Sequence, residues 1–278
     1  MNQSIKGQRD IWCDLRSEVL GYAESEPILR LYLNATILDH DTLEYSLSYL
    51  LANKLSSIDI AASSMRELIT QVISNSLHIR ESIRSDLSVS AERDPAARGI
   101  VNPYLNHKGF HALQAYRIAN YLWLEKRYAL AFHMQSRISE VFAVDIHPAA
   151  TIGKGVFLDH GTGIVIGETT VVGDNVSILQ GVTLGGTGKE GGDRHPKIER
   201  GVLICAGAKI LGNIRVGIGA KVGAGSVVLN EVAPHTTVVG VPAKTVGRPK
   251  MSEPGLSMDQ QIDNDENTES SEKKRYAC

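Results

Sequence analysis

The chain has 278 residues, 42% hydrophobic and 22% charged, enough to build one large or two modest folded domains. Twenty-nine Lys and Arg against 31 Asp and Glu leave a net charge of −2, which excludes the broad basic field that a nucleic acid or an anionic membrane would require. No apolar run reaches 18 residues, the first residues lack the apolar core of a signal peptide, and Cys13, Cys205 and Cys278 stand far apart with no CxxC pair, so a cytoplasmic protein without disulfides or a membrane span is expected.

Residues 1–141 are expected to form an α-helical N-terminal domain. Helical patterns run over 65–74 and 78–89, and the clearest over 112–124. Ten of those thirteen residues are apolar. The polar ones, Gln114, Arg117 and Asn120, recur at spacing three and make a narrow stripe on a mostly buried helix. Pro95 cannot continue a preceding helical turn, which places Asp94 at the end of an element.

From 142 to 250 the period changes to six. Aliphatic residues stand at Ile146, Ile152, Leu158, Ile164, Val176 and Val182, and again at Ile198, Ile204, Ile210, Val216, Val222 and Val228, with Thr170 the one exception. Six is too short for a helix pair and suits one flat face of a parallel β-helix, with three hexads per triangular turn. Gly153, Gly217 and Gly223 follow the aliphatic slot, as expected where the backbone rounds a corner. The open ends of such a solenoid need covers, which the helical domain and residues 234–249 can supply. Val182 and Ile198 stand sixteen apart where six suffice, so ten residues are expected to loop out of one face. From 251 to 278 seven acidic residues and almost no large apolar ones predict a flexible C-terminal tail.

Two places carry chemistry. The hexad Leu158, Asp159, His160, Gly161 sets an acid and an imidazole at a corner, where they give the solenoid no packing advantage. Asp145 lies one turn earlier. A carboxylate beside His160 would fix its tautomer and stabilise its protonated form, and a histidine so held acts as general base toward a hydroxyl. Arg194 and His195 lie in the protruding glycine-rich loop, where the planar guanidinium fork suits a small carboxylate. The bland alternatives are a surface pair at a turn and solvated loop residues. Gly188-Lys189 fails as a phosphate loop, because Thr183 and Glu190 stand at its key positions. His147, His160, His195 and His235 show no HxxxH spacing, so no metal is expected.

With these residues the chain resembles the bacterial serine O-acetyltransferases. The likeness rests on the hexads, on 145–150, on Asp159-His160, on the loop 185–197 and on 108–117 in the helical part, and spans about residues 10–250. It implies an α+β fold, an N-terminal α-helical domain followed by a left-handed parallel β-helix with a protruding loop. It implies transfer of acetyl from acetyl-CoA to the hydroxyl of L-serine, giving O-acetyl-L-serine and CoA in the first step of cysteine biosynthesis from serine. By this resemblance His160 is the base and Asp145 its partner. Asp94 and Asp159 hold the serine ammonium, and Arg194 and His195 its carboxylate. Backbone at Gly186 and Ala206 and the side chain of Lys221 meet acetyl-CoA in the cleft between neighbouring solenoids. The resemblance further implies a homotrimer pairing into a homohexamer, and L-cysteine as inhibitor in the serine site. The family's tail usually ends in isoleucine, which enters O-acetylserine sulfhydrylase. This chain ends in the smaller, more polar Cys278, so that complex is expected to be weak or absent.

Three other functions compete. An acyltransferase for a sugar or another hydroxyl would need neither the ammonium-binding acids Asp94 and Asp159 nor the Arg194 clamp. A metal-dependent hydratase on the same solenoid would contain zinc. A non-catalytic scaffold leaves Asp159-His160 and the inserted loop unexplained.

Overall fold

The computed structural model describes residues 10–188 and 191–262. Eight helices come first: α1 (Ile11–Ser25), α2 (Arg30–Leu33), α3 (Leu43–Leu55), α4 (Ala62–Asn75), α5 (Leu77–Arg93), α6 (Val101–Asn106), α7 (Lys108–Leu124) and α8 (Tyr128–Phe142). Side-chain oxygens of Asp10, Thr42 and Ser76 accept the first free N–H groups of α1, α3 and α5. Asp94 caps the C-terminus of α5 just before Pro95.

The polar stripe of α7 does not face water. It faces Asp86 of α5, a carboxylate with no exposure at all. Asp86 Oδ2 accepts from Gln114 Nε2 at 3.0 Å and from Arg117 Nε and Nη2 at 3.0 and 2.7 Å, while Oδ1 accepts from the Val156 amide at 3.1 Å. Arg117, 4% exposed, also donates to the carbonyls of Ile152 and Gly153. Asn120 donates to those of Pro148 and Ala150. A buried charge persists only when its hydrogen-bonding capacity is met, and this one, on α5, is met by α7 and the first coil of the solenoid together.

The solenoid starts at Val144, where Ala143 turns the chain out of α8 with φ 55°. Its strands stack in parallel on three faces. The first holds Val144–Ile146, Ile164–Ile166, Thr183–Gly185, Lys209–Leu211 and Val227–Val228. The second holds Thr151–Ile152, Val171–Val172, Lys197–Ile198 and Arg215–Val216. The third holds Phe157–Leu158, Ser177–Ile178, Leu203–Ile204, Lys221–Val222 and Thr237–Gly240. The last of these folds back antiparallel on Ala243–Gly247 and closes the far end.

The ladder corrects the hexad phase. Ile152 pairs with Val172 and Leu158 with Ile178, 20 residues apart, whereas Ile198 pairs with Val216 and Ile204 with Val222, 18 apart. Two extra residues therefore lie between Leu158 and Ile166, at Asp159-His160. After that corner the repeating slot is Ile166, Val172, Ile178 and Leu184, not Ile164, Thr170, Val176 and Val182. Thr170 is no flaw in the repeat, since it occupies the second inward position two residues ahead, equivalent to Ala150, Ala208 and Ala220 and buried as they are. The later insertion shrinks accordingly. Val172 pairs with Ile198, 26 residues away instead of 18, so eight residues loop out instead of ten.

The flexible tail expected from residue 251 does not begin there. Pro254–Ser257 forms a short helix against the third face: the Gly255 amide donates to Gly201 O at 2.9 Å, and Ser177 Oγ donates to Gly255 O at 2.6 Å. These backbone bonds outweigh the polar composition of the segment. Residues 263–278, Cys278 among them, lie outside the described residues. Among the described residues no helix is long and apolar enough to cross a membrane.

Asp86→Ala strands Arg117 in the interior and is expected to remove about 3–5 kcal/mol of stability, read as a lower urea midpoint. Because the two charges act as one unit, the Asp86→Ala/Arg117→Ala double variant should lose clearly less than the sum of the singles.

Candidate active site

The two extra residues create the first half of the site, at the corner between the third and first faces. The Asp159 amide makes the last ladder bond, to Ile178 O at 2.9 Å. His160 then adopts φ 57°, and the bulge leaves its side chain 72% exposed, with Nε2 3.9 Å from Asp159 Oδ1. Two helix ends converge on this corner. The N-terminus of α7 comes so close that a Cβ on Gly109 would lie 2.0 Å from Leu158 O, so glycine is required there. The close approach lets Lys108 Nζ bond Thr162 Oγ1 and sets His107 over the corner. The C-terminus of α5 contributes Asp94, whose Oδ1 accepts from the Ala96 amide at 2.8 Å and whose Oδ2 lies 3.5 Å from His107 Nε2.

Asp94, His107 and Asp159 are each about one-fifth exposed, enough desolvation to matter. Burial pushes the Asp159 carboxyl up; His160 opposes this and Asp94 reinforces it. Burial pushes His107 down, against the pull of Asp94 and Asp159. Two carboxylates and two imidazoles thus share one corner, a set that welcomes a cation.

The second half lies at the next corner, between the first and second faces, where the eight-residue insertion emerges. Gly167 makes room for the His195 ring, which a Cβ there would meet at 2.1 Å. His195 is buried, and its Nδ1 accepts from the Thr169 amide at 3.2 Å, which assigns the proton of the neutral ring to Nε2. Thr169 Oγ1 accepts the amides of Arg194 and His195 at 3.0 and 3.1 Å and lies 2.9 Å from His195 Nδ1. Lys197 Nζ adds bonds to Thr169 O and His195 O. The base of the loop is thereby stapled, not loosely solvated. The Arg194 guanidinium is not free. Nη2 pairs with Glu168 Oε2 at 2.7 Å, Nη1 donates to Gly192 O, and Arg194 holds the Glu168 carboxyl below its ordinary range. Lys189 and Glu190 lie outside the described residues.

Within one chain these halves do not meet. They sit at opposite edges of the first face, on the order of 15 Å apart at the rise of a strand. Asp145 lies on that face, level with Val165, and accepts from Gln135 Nε2 at 2.7 Å. Among the described residues it forms no ion pair with His160, whose one such partner is Asp159. Gly186 follows the first-face strand Thr183–Gly185 and lies beside Arg194. Ala206 packs with Cys205 and Met258. Lys221 is buried, its ammonium held by the carbonyls of Asp259 at 2.8 Å and of Gln261. A buried amine needs acceptors, and residues 258–262 supply them by lying across the third face.

Residues 11–115 match the N-terminal family of serine acetyltransferases. The serine acetyltransferase of Escherichia coli K12 is 54% identical over 250 residues, covering 90% of this chain and 92% of that protein. The chain belongs to the serine acetyltransferase family. The crystal structure of serine acetyltransferase from Vibrio cholerae O1 aligns with TM-score 0.90 at 56% identity, covering 91% of this chain and 98% of that one. A serine acetyltransferase solved in complex with cysteine aligns with TM-score 0.89 at 51% identity, over 91% and 99% of the two chains. As a serine acetyltransferase family member, the chain is an acyltransferase.

His107, Thr169 and Glu168 were absent from the residues singled out by sequence. His107 precedes the start of α7 without capping it. Thr169 and Glu168 sit at an ordinary hexad corner and acquire their role only because the loop returns to them. Gly109→Ala should push α7 off the corner. Misplacement by an ångström costs on the order of 100-fold in rate, so turnover is expected to fall by about that factor while far-ultraviolet circular dichroism keeps its helical signal.

Proposed function

We propose that this chain moves the acetyl group of acetyl-CoA onto the hydroxyl of L-serine, in sites that two neighbouring copies complete. The observation that carries the proposal is the first corner, where an exposed imidazole stands beside two carboxylates fit to hold an ammonium. Asp94 and Asp159 take the serine ammonium. Arg194 and His195 of the adjacent copy take its carboxylate, His195 donating from Nε2 and Arg194 exchanging Glu168 for the substrate. Asp145 on the neighbour's first face is then the carboxylate that orients His160.

His160 removes the hydroxyl proton as the serine oxygen attacks the thioester carbon. The new C–O bond gives a tetrahedral oxyanion, which backbone N–H groups near Gly186 can stabilise. Collapse breaks the C–S bond, and His160 returns the proton to the departing sulfur. Cys205 supports direct transfer over an acyl-enzyme, because burial pushes its thiol up to about 11 and keeps it protonated at neutral pH. Acetyl-CoA would run past Gly186, Ala206 and Lys221, which requires residues 258–262 to leave the third face. L-cysteine carries the same ammonium and carboxylate as serine, so the same clamps would hold it as an inhibitor. Ile28 and Leu31 stand 89% and 82% exposed on the helical domain, which favours the pairing of two trimers there into a hexamer. Cytoplasmic location remains part of this proposal.

Release of CoA thiol from acetyl-CoA is expected with L-serine far above L-homoserine, L-threonine or a galactoside, and to be suppressed by L-cysteine. Preference for another acceptor moves the substrate assignment. His160→Ala should lower kcat by roughly 10²–10⁴-fold in the same assay. Co-expressed His160→Ala and Arg194→Ala chains test the shared site. Random mixing leaves about a quarter of the interfaces with both residues intact, so activity should return to that level, whereas a site inside one chain would stay dead.

A further inference from the structure

Of the two carboxylates and two imidazoles at the first corner, His107 is the one that the proposed reaction does not use. It stands between α6 and α7, and three structural elements converge on it. From α5, Asp94 Oδ2 lies 3.5 Å from its Nε2. From the solenoid corner, Asp159 and His160 act on it electrostatically. From its own helix it acts on the buried His111, whose Nε2 is already engaged at Tyr104 O. No other described acid or base perturbs it. His107 therefore faces the same two carboxylates that the proposed function assigns to the substrate ammonium.

We propose that His107 is a positioning residue that guards the amine subsite by its charge. Neutral, it stands 3.5 Å from Asp94 without a charge of its own and leaves the net charge of the Asp94–Asp159 pair for an incoming ammonium. Protonated, it is itself the cation that the pair attracts, and a second cation meets both repulsion and occupied acceptors. Binding of the amino acid and protonation of His107 are then mutually exclusive, and by linkage each must weaken the other. The inference rests on the serine site proposed above.

The sign follows from the surroundings. Burial holds His107 below its ordinary range, so it is neutral near pH 7 and takes up its proton only in the acid range. Serine affinity is therefore full in neutral and mildly alkaline solution and falls as pH drops through the acid range. Asp159, which burial pushes up, also protonates there and accounts for the part of the loss that does not depend on His107.

Calorimetric titration with L-serine in the absence of acetyl-CoA isolates the effect from the acetyl-transfer step. The readout is the ratio of the serine Kd at pH 5.5 to that at pH 8. One competing proton contributes at most about tenfold per pH unit below the pKa of its group, and His107 is held below its ordinary range, so the ratio for the unaltered chain should exceed that of His107→Gln several-fold, by less than about tenfold. Glutamine keeps a polar side chain beside Asp94 but does not titrate. His107→Lys carries the charge permanently and should raise Kd about tenfold at pH 8, with the shallow pH dependence of the glutamine variant. Binding at pH 5.5, compared in buffers of different ionisation enthalpy, should release more protons from the unaltered chain than from His107→Gln, the difference being the His107 proton. Equal ratios in wild type and His107→Gln overturn the proposal, as does undiminished serine binding by His107→Lys at pH 8. If the unaltered chain fails to bind L-serine at pH 8, the acceptor assignment falls and this inference falls with it.

Discussion

The carboxylate of Asp86 has no water around it and four N–H donors in its place. Those donors come from α7 and from the first coil, while the carboxylate itself belongs to α5. Three elements that the chain must bring together from distant positions are thus locked by one charge, and breaking any part leaves an ion buried without a partner. The same two helices end at the first corner. Asp94 lies eight residues beyond Asp86, about 12 Å at the rise of a helix, and His107 lies at the other end of the helix that carries Arg117. The helical domain is therefore more than a cover for the solenoid, since it delivers Asp94 and His107 to that corner.

Function in this architecture collects where the repeat fails. A regular coil spends its backbone on ladder bonds and its inward side chains on the core, and its outward residues have no pocket to line. The two-residue bulge at Asp159-His160 frees an imidazole from the ladder. The eight-residue loop after Gly185 lifts Arg194 from the wall and returns it onto Thr169. Both interruptions flank the same face, and threefold packing of such faces would set one copy's bulge against another's loop.

The hexads, the helical domain, the inserted loop and the Asp159-His160 pair were legible because each leaves a local pattern. The phase slip was not. Ile164, Val176 and Val182 are apolar as well, so the wrong slot looks nearly as good as the right one, and only Thr170 betrays it. The stripe on α7 was visible as periodicity, but a period names no partner, and Asp86 lies in a helix whose own pattern is unremarkable. Whether Asp145 meets His160 depends on which way a corner bulges, which no spacing encodes. Lys221 is a strand residue in any one-dimensional view. Its capture by the carbonyls of residues 259 and 261 depends on a segment whose composition suggests no structure.

That segment has a consequence of its own. Met258 packs on the cluster of Leu179, Leu203 and Cys205, and the Cys205 thiol is buried beside residues that acetyl-CoA would have to displace. Alkylation of Cys205 can proceed only while they are lifted. The rate at which a small thiol reagent consumes Cys205 therefore clocks how often the third face stands open, with exposed Cys13 as an internal standard in the same chain.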